Sequence, residues 1–232
     1  MAIDLTQFTP ARVALRRAGN SLATADLLRF QLDHARARDA VNAELDVRGL
    51  PGPHIVVQSA AHSREAFLRR PDLGRRLSEE SRSLLVRGEY DAAIVLADGL
   101  SALAIHRHGA GMLDALMPLL EAEAWRMAPL TVALRSRVAL GDEIGERLGA
   151  RQVAMLIGER PGLSAPDSLG IYLTYDPRPG RTDAERNCIS NIHPEGLPYE
   201  LAAHRLHFLM REARTRKLTG VALKEDAASL LE

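Results

Sequence analysis

A carboxylate that directly follows an apolar run is the best-placed group in this sequence for chemistry. Glu159 comes after Val153-Ala154-Met155-Leu156-Ile157-Gly158 and before Arg160-Pro161-Gly162. If the run is a buried strand, Glu159 stands where the strand reaches a cleft. There it accepts hydrogen bonds from amide donors, at ~1.5–3 kcal/mol for each charged contact. The plainer alternatives are a surface pair with Arg160 or a turn residue. Two further loops leave apolar runs in the same manner, Asp98-Gly99-Leu100-Ser101 and Arg137-Val138-Ala139-Leu140-Gly141. Ligands of open α/β sheets sit beyond the carboxyl ends of the strands, so these loops are the candidate site. They are not a dinucleotide fingerprint, because Gly141 and Gly145 lack the G-x-G-x-x-G spacing. The chain also has no G-x-x-x-x-G-K-[ST] phosphate loop.

Other reactive residue types are sparse. Cys188 is the single cysteine, which excludes an internal disulfide and a multi-cysteine zinc site. A lone cysteine is more often a small packing residue than a nucleophile. His106 and His108 are two apart and fall on different sides of a helix. His204 and His207, three apart, share a face without an obvious carboxylate partner. No zinc site is expected, and without a G-x-S-x-G elbow no serine hydrolase is either. Arg178, Arg181 and Arg186 flank a Pro-rich turn. They either pair with Asp183 and Glu185 or face a partner protein, since planar guanidinium groups are favoured at interfaces.

The elements that would carry these residues change character along the chain. The first 85 or so residues read as a helical extension. Thr9-Pro10 starts one helix and Gly19-Asn20 stops it, and a second helix runs on from Thr24 with Leu28, Leu32 and Ala35 on one face. A turn spans 48–53, a short strand lies in HIVVQSA, and a helical stretch over 63–86 breaks near Pro71. From residue 86 strands and helices alternate: AAIVLA, an apolar helix, LTVALRSRV ending at Val138, the helix GDEIGERLG, QVAMLIGE and GIYLTYDP. A last helix begins at PYELAA and buries Ala202, Leu206, Leu209 and Ala213. Continuous apolar strands between helices predict an α/β domain over 86–232 with a doubly wound, mostly parallel, Rossmann-like sheet.

Composition narrows the partners. The 232 residues are 46% hydrophobic, and Lys+Arg and Asp+Glu total 30 each. Zero net charge argues against general affinity for nucleic acid or an anionic membrane. No apolar stretch approaches the ~20 residues that span a bilayer, and the first residues do not read as a secretory signal, so a cytoplasmic location is expected.

Long blocks resemble a known family. GDEIGERLGA at 141–150, LIGERPGLSAPDSLG at 156–170, RTDAERNCISNIHPEG at 181–196 and TGVALKED at 219–226 resemble the small (light) subunit of ethanolamine ammonia-lyase. The upstream blocks TPARVALRRAGNSLAT, FQLDHARARDAV and IVLADGLSALAI extend the likeness over nearly the whole chain. The resemblance implies adenosylcobalamin as cofactor, with Val138, Glu159 and Cys188 as its contacts and no catalytic acid, base or nucleophile in this chain. It also implies a large-subunit partner that holds the substrate site in a hetero-oligomer, with packaging in a bacterial microcompartment left open. The reaction implied is conversion of ethanolamine to acetaldehyde and ammonia, started by a 5′-deoxyadenosyl radical. Asn191-Ile192-His193-Pro194-Glu195-Gly196 comes close to the D-x-H-x-x-G pattern in which a histidine ligates cobalt. Asn191 replaces the tuning Asp, so His193 is not expected to be a ligand. A stand-alone α/β nucleotide-binding domain and a non-catalytic interaction module are the alternatives.

Overall fold

The structure is a computed structural model that describes residue 15 and residues 17–224. The expected first helix, starting at Thr9-Pro10, lies largely outside the described residues. Gly19 does not end a helix. It turns a small hairpin between β1 (Arg17–Ala18) and β2 (Ser21–Leu22) with φ of +64°. Helix α1 (Thr24–Asn42) follows as expected, but only Ala40 on it is buried. Leu28 and Leu32, predicted to face a core, are 58% and 50% exposed.

Six strands, among the described residues, form the main sheet in the order β3-β5-β4-β6-β7-β8. They are β3 (Ile55–Gln58), β4 (Ala93–Ala97), β5 (Thr131–Leu134), β6 (Gln152–Gly158), β7 (Leu169–Tyr175) and β8 (Arg186–Ile192). The first four in that order are parallel; β7 runs antiparallel to β6, and β8 antiparallel to β7. The α/β class therefore holds, while the far side departs from the expected mostly parallel pattern. The physical reason is connection length. Residues 159–168 and 176–185 are too short for the crossover that parallel neighbours need, so the chain must turn back on itself. The 1–85 segment, expected to be a helical extension, also supplies edge strand β3, which pairs with β5. Its 63–86 portion is broken into α2 (Arg64–Arg69), a single turn at Leu73–Arg75 and α3 (Glu79–Arg82).

Strand alternation divides the core into two layers. Ile94, Leu96, Val132, Leu156, Ile171 and Ile189 face one side, under α5 (Ala110–Ala122) and α7 (Tyr199–Arg216). Ala202, Leu206, Leu209 and Ala213 form the buried face of α7, as their spacing predicts. Val95, Ala97, Ala133, Val153 and Met155 face the other side, under α6 (Leu140–Leu148). Ahead of α5, a short turn α4 (Ala102–Ala104) passes into a π-helical stretch at Ile105–Gly109.

Candidate functional site

β4 lies between β5 and β6, and its two neighbours are reached over opposite faces of the sheet, through α5 and α6. The loops leaving β4 and β5 therefore part, which is where open α/β sheets form a crevice. A cleft of about 430 Å³ occupies this place. Leu100, Val138 and Ile157 give it an apolar wall, and Arg137, Glu159, Arg160 and Tyr172 supply polar groups.

Asp98, at the end of β4, organises the floor. Its carboxylate accepts from the backbone N–H of Arg135 at 2.7 Å and of Ser136 at 3.0 Å, so it dictates how the chain leaves β5. Arg135 takes up a φ of +52° to make that turn. Burial pushes the Asp98 carboxyl above its usual range, while these amides and Arg64 pull it back down. Arg64 lies 3.6 Å from Asp98 and also donates to the carbonyls of Gly99, Leu100 and Val41, tying α1 and α2 to the β4 loop. Gly99 has a φ of +54° and packs directly on the Gly158 carbonyl, where a side chain would collide. The two loops can meet only because of it.

Glu159 leaves β6 into the cleft as its sequence position predicts. It is not paired with Arg160. Its backbone N–H donates to Ser168 at 3.0 Å, and its Oε2 accepts from the Asn191 backbone N–H at 3.2 Å. One amide donor thus already engages the carboxylate, whose side chain is half-buried with acceptor capacity to spare. Val138 lines the same cleft but does not end a strand: β5 stops at Leu134, and Val138 sits in the loop before α6, its carbonyl accepting from Gly141. The strand is cut short because Asp98 captures the next two amides.

Cys188 lies one strand beyond the cleft, in β8. Its register partner is Tyr172, so phenol and thiol lie side by side across the two strands. The residue is exposed at the sheet edge, yet the surrounding protein removes enough water to push the thiol pKa up. Burial, the neighbouring thiol and Glu159 push the Tyr172 phenol up in turn, so it stays protonated. Tyr172 connects Cys188 to the cleft. Strand alternation within GIYLTY puts it on the α6 side, which is the signal that would have found it.

The far end of the Glu159 loop is pinned. Ser101 Oγ donates to the Pro166 carbonyl at 3.0 Å, and Asp167 receives Arg107 at 2.7 Å. His108, in the π-helical stretch, lies 3.4 Å from Asp167 and 2.7 Å from the Tyr199 hydroxyl. Burial lowers its pKa, while Asp167 works in the opposite direction. Two further histidines have structural partners: His106 accepts from the Asp46 N–H, and His207 finds its carboxylate in Glu123, 3.4 Å away. His193 Nε2 is 3.0 Å from Asn191 Oδ1, in the turn after β8, and does not line the cleft. Of the three arginines near the turn, Arg181 pairs with Asp176 and Glu185, and Arg186 is buried against Asp142. Arg178 is the exposed one, 3.6 Å from Asp176.

The block GDEIGERLGA proves to be structural. Asp142 meets Arg186 of β8, and burial pushes its carboxyl up to about 6 against the pull of that guanidinium. Glu143 accepts from the Leu77 N–H at 2.8 Å and from Arg82 at 2.9 Å. Among the described residues no group of three His, Cys, Asp or Glu side chains could hold a metal ion, and no helix is long and apolar enough to cross a membrane.

With this geometry in place, similarity to known proteins is informative. The family model described as Ethanolamine ammonia-lyase light chain (EutC) matches residues 2–224. The ethanolamine ammonia-lyase small subunit of Xanthomonas campestris pv. campestris is 54% identical, over 96% of this chain and 87% of that protein. That of Azotobacter vinelandii is also 54% identical, over 97% and 88%, and that of Pseudomonas putida (strain GB-1) is 53% identical over the same shares. A match over nearly the full length, at this identity, places the chain in the ethanolamine ammonia-lyase small-subunit family.

Proposed function

We propose that this chain is the cofactor-covering half of an adenosylcobalamin-dependent ethanolamine ammonia-lyase, with the cleft at Glu159 and Val138 as its part of the cofactor site. The observation that carries the reading is the cleft itself. It joins an apolar wall to a carboxylate that already accepts from an amide N–H. A corrin ring is a broad apolar disc whose side chains end in amides, so wall and acceptor match its two kinds of surface. When bound, the cofactor supplies a carbon-centred radical that removes hydrogen from the substrate. This chain's residues bind, orient and exclude water. Glu159 accepts from an amide of the cofactor, Val138, Leu100 and Ile157 pack against its apolar surface, and Cys188 with Tyr172 extends the patch along β7 and β8. Asp98 and Arg64 hold the loops in place without touching the ligand.

Size points to a second chain. Clefts that enclose a drug-sized ligand run to ~300–1,000 Å³. A cobalamin is several times larger than such a ligand, so a cleft of about 430 Å³ covers only part of it. The relatives are named small subunits, and a large subunit carrying the substrate site completes the enclosure in a hetero-oligomer.

Co-expression with the large subunit, followed by gel filtration after adding adenosylcobalamin, tests this. A corrinoid visible spectrum should travel with the two-chain complex, and this chain alone should not deaminate ethanolamine. Turnover by the single chain, or a complex that retains no corrinoid, would overturn the reading.

A further inference from the structure

Arg137 and the exposed Arg160 are the charged groups of the cleft still without a role, and Arg137 is held unusually well. Its backbone N–H donates to the Gly74 carbonyl at 2.8 Å, and its guanidinium stacks over the Phe67 ring with 4.4 Å to the centroid. Gly74 makes room for it: a Cβ there would come within 2.9 Å of Arg137 Cγ and 3.0 Å of the Phe67 ring. A flat guanidinium clamped on an aromatic face is oriented before any ligand arrives. Yet its donors are barely used. Nη2 reaches the Phe67 carbonyl only at 3.4 Å, Nε is buried without a partner, and among the described residues no carboxylate lies in ion-pair range. Arg64 and Arg75 add positive charge on the same side, against the single buried carboxylate of Asp98, which is occupied by Arg64 and two amides. A half-buried cation with free donors among other cations is a preformed site for an anion.

The ligand proposed above identifies that anion. Corrin side chains end in neutral amides, and the cofactor's one anionic group is the phosphodiester that links the corrin to its nucleotide tail. We infer that Arg137 reads this phosphodiester, so that the cleft pairs an acceptor, Glu159, with the amide rim and a donor fork, Arg137, with the phosphate. The inference rests on the cofactor reading and adds to it a direction for the tail, toward the Phe67–Gly74 side. Arginine suits the task because two N–H groups can meet two phosphate oxygens at once.

The ligand's own chemistry provides the test. In the assembled two-subunit enzyme, affinities for adenosylcobalamin and for adenosylcobinamide, which lacks the phosphodiester and nucleotide, are measured by spectral titration. Arg137→Met should weaken cobalamin binding by about 10- to 100-fold, the loss of a charged bidentate contact, and leave cobinamide binding within about twofold. Arg137→Lys should fall between. Gly74→Ala, which unseats Arg137 without removing its charge, should show the same selectivity at smaller size. Equal losses for both ligands would make Arg137 a wall of the cleft and overturn the inference. No loss for either would also overturn it. A wild-type complex that binds neither corrinoid would instead remove the cofactor reading, and this inference with it.

Discussion

The charged face of α6 and the mouth of the cleft both carry acidic and basic residues, and they use charge in opposite ways. In the α6 seam the charges meet opposite charges. Asp142 and Arg186 are 1% and 6% exposed and pair with one another, while Glu143 accepts from Leu77, Arg82 and Arg147. At the cleft, Glu159 makes one hydrogen bond and Arg137 one long one. Charges that meet an opposite charge hold elements together, while among the described residues Glu159 and Arg137 meet none. That contrast, rather than residue type, separates the two regions, since both contain a Glu and an Arg.

The comparison is most easily broken at the seam. Asp142→Ala leaves Arg186 buried beside only the exposed Asp183 and a carbonyl. Stripping one partner from a buried pair costs about 3–5 kcal/mol, so denaturant unfolding should show a loss of that size. Glu159→Ala should stay within about 0.5 kcal/mol of wild type, as surface substitutions do. Equal effects at both sites would erase the distinction.

A second expectation concerns pH. Burial raises the Asp142 carboxyl to about 6 in the folded chain, against the pull of Arg186. A carboxyl whose folded pKa exceeds its unfolded one contributes stability that is fully present below the unfolded value, ~3.9, and is lost as pH rises through about 6. The unfolding free energy of wild type minus that of Asp142→Asn should therefore fall between pH 4 and pH 7. A flat or rising difference would show that Arg186 keeps the carboxylate ionised throughout.

Much of this division was legible in the sequence, though unevenly. The apolar runs of β4 and β6 and the spacing of α6 and α7 are local signals, and they placed Glu159 at a strand end without structural help. Arg186–Ile192 was missed because only Arg186, Ile189 and Ile192 are buried in it. An edge strand with Asn187, Cys188, Ser190 and Asn191 between those residues carries little apolar alternation to read. Val138 was assigned to a strand because propensity continues through Arg135-Ser136-Arg137. The long-range capture of two amides by Asp98, 37 and 38 residues away, ends it sooner. The pairing of Asp142 with Arg186, 44 residues apart, has no local trace either. The exposed leucines of α1 show the converse limit, since their spacing predicts a packed face but not whether this chain provides the packing.

At the cleft the expected effect lies in binding. Glu159→Ala removes a charged acceptor, so cofactor affinity of the assembled enzyme should drop by the equivalent of ~1.5–3 kcal/mol, about 10- to 150-fold. Glu159→Gln keeps one acceptor oxygen and should lose less. Spectral titration measures both, and assembly should persist because among the described residues the side chain's one hydrogen-bond partner is the Asn191 N–H. An unchanged affinity would make Glu159 a brace for the turn after β8.

The smallest effect should be at Cys188, and it decides how far the ligand patch extends. The thiol is neutral at pH 7 because its pKa is raised, and a neutral thiol is a weak hydrogen-bonding group. Cys188→Ser should therefore shift cofactor affinity by under about fivefold, less than 1 kcal/mol. Alkylation is the more sensitive probe. Only the thiolate reacts, so modification should be slow near pH 7 and speed up toward pH 9. If the cofactor lies across β7 and β8 as well as the cleft mouth, adding adenosylcobalamin to the assembled enzyme should slow alkylation about tenfold or more at fixed pH. The Glu159→Ala variant should need correspondingly more cofactor for the same protection, because both readouts report one bound molecule. Protection by assembly alone, with none added by cofactor, would assign Cys188 to the subunit interface and confine the ligand patch to the cleft between Val138 and Tyr172.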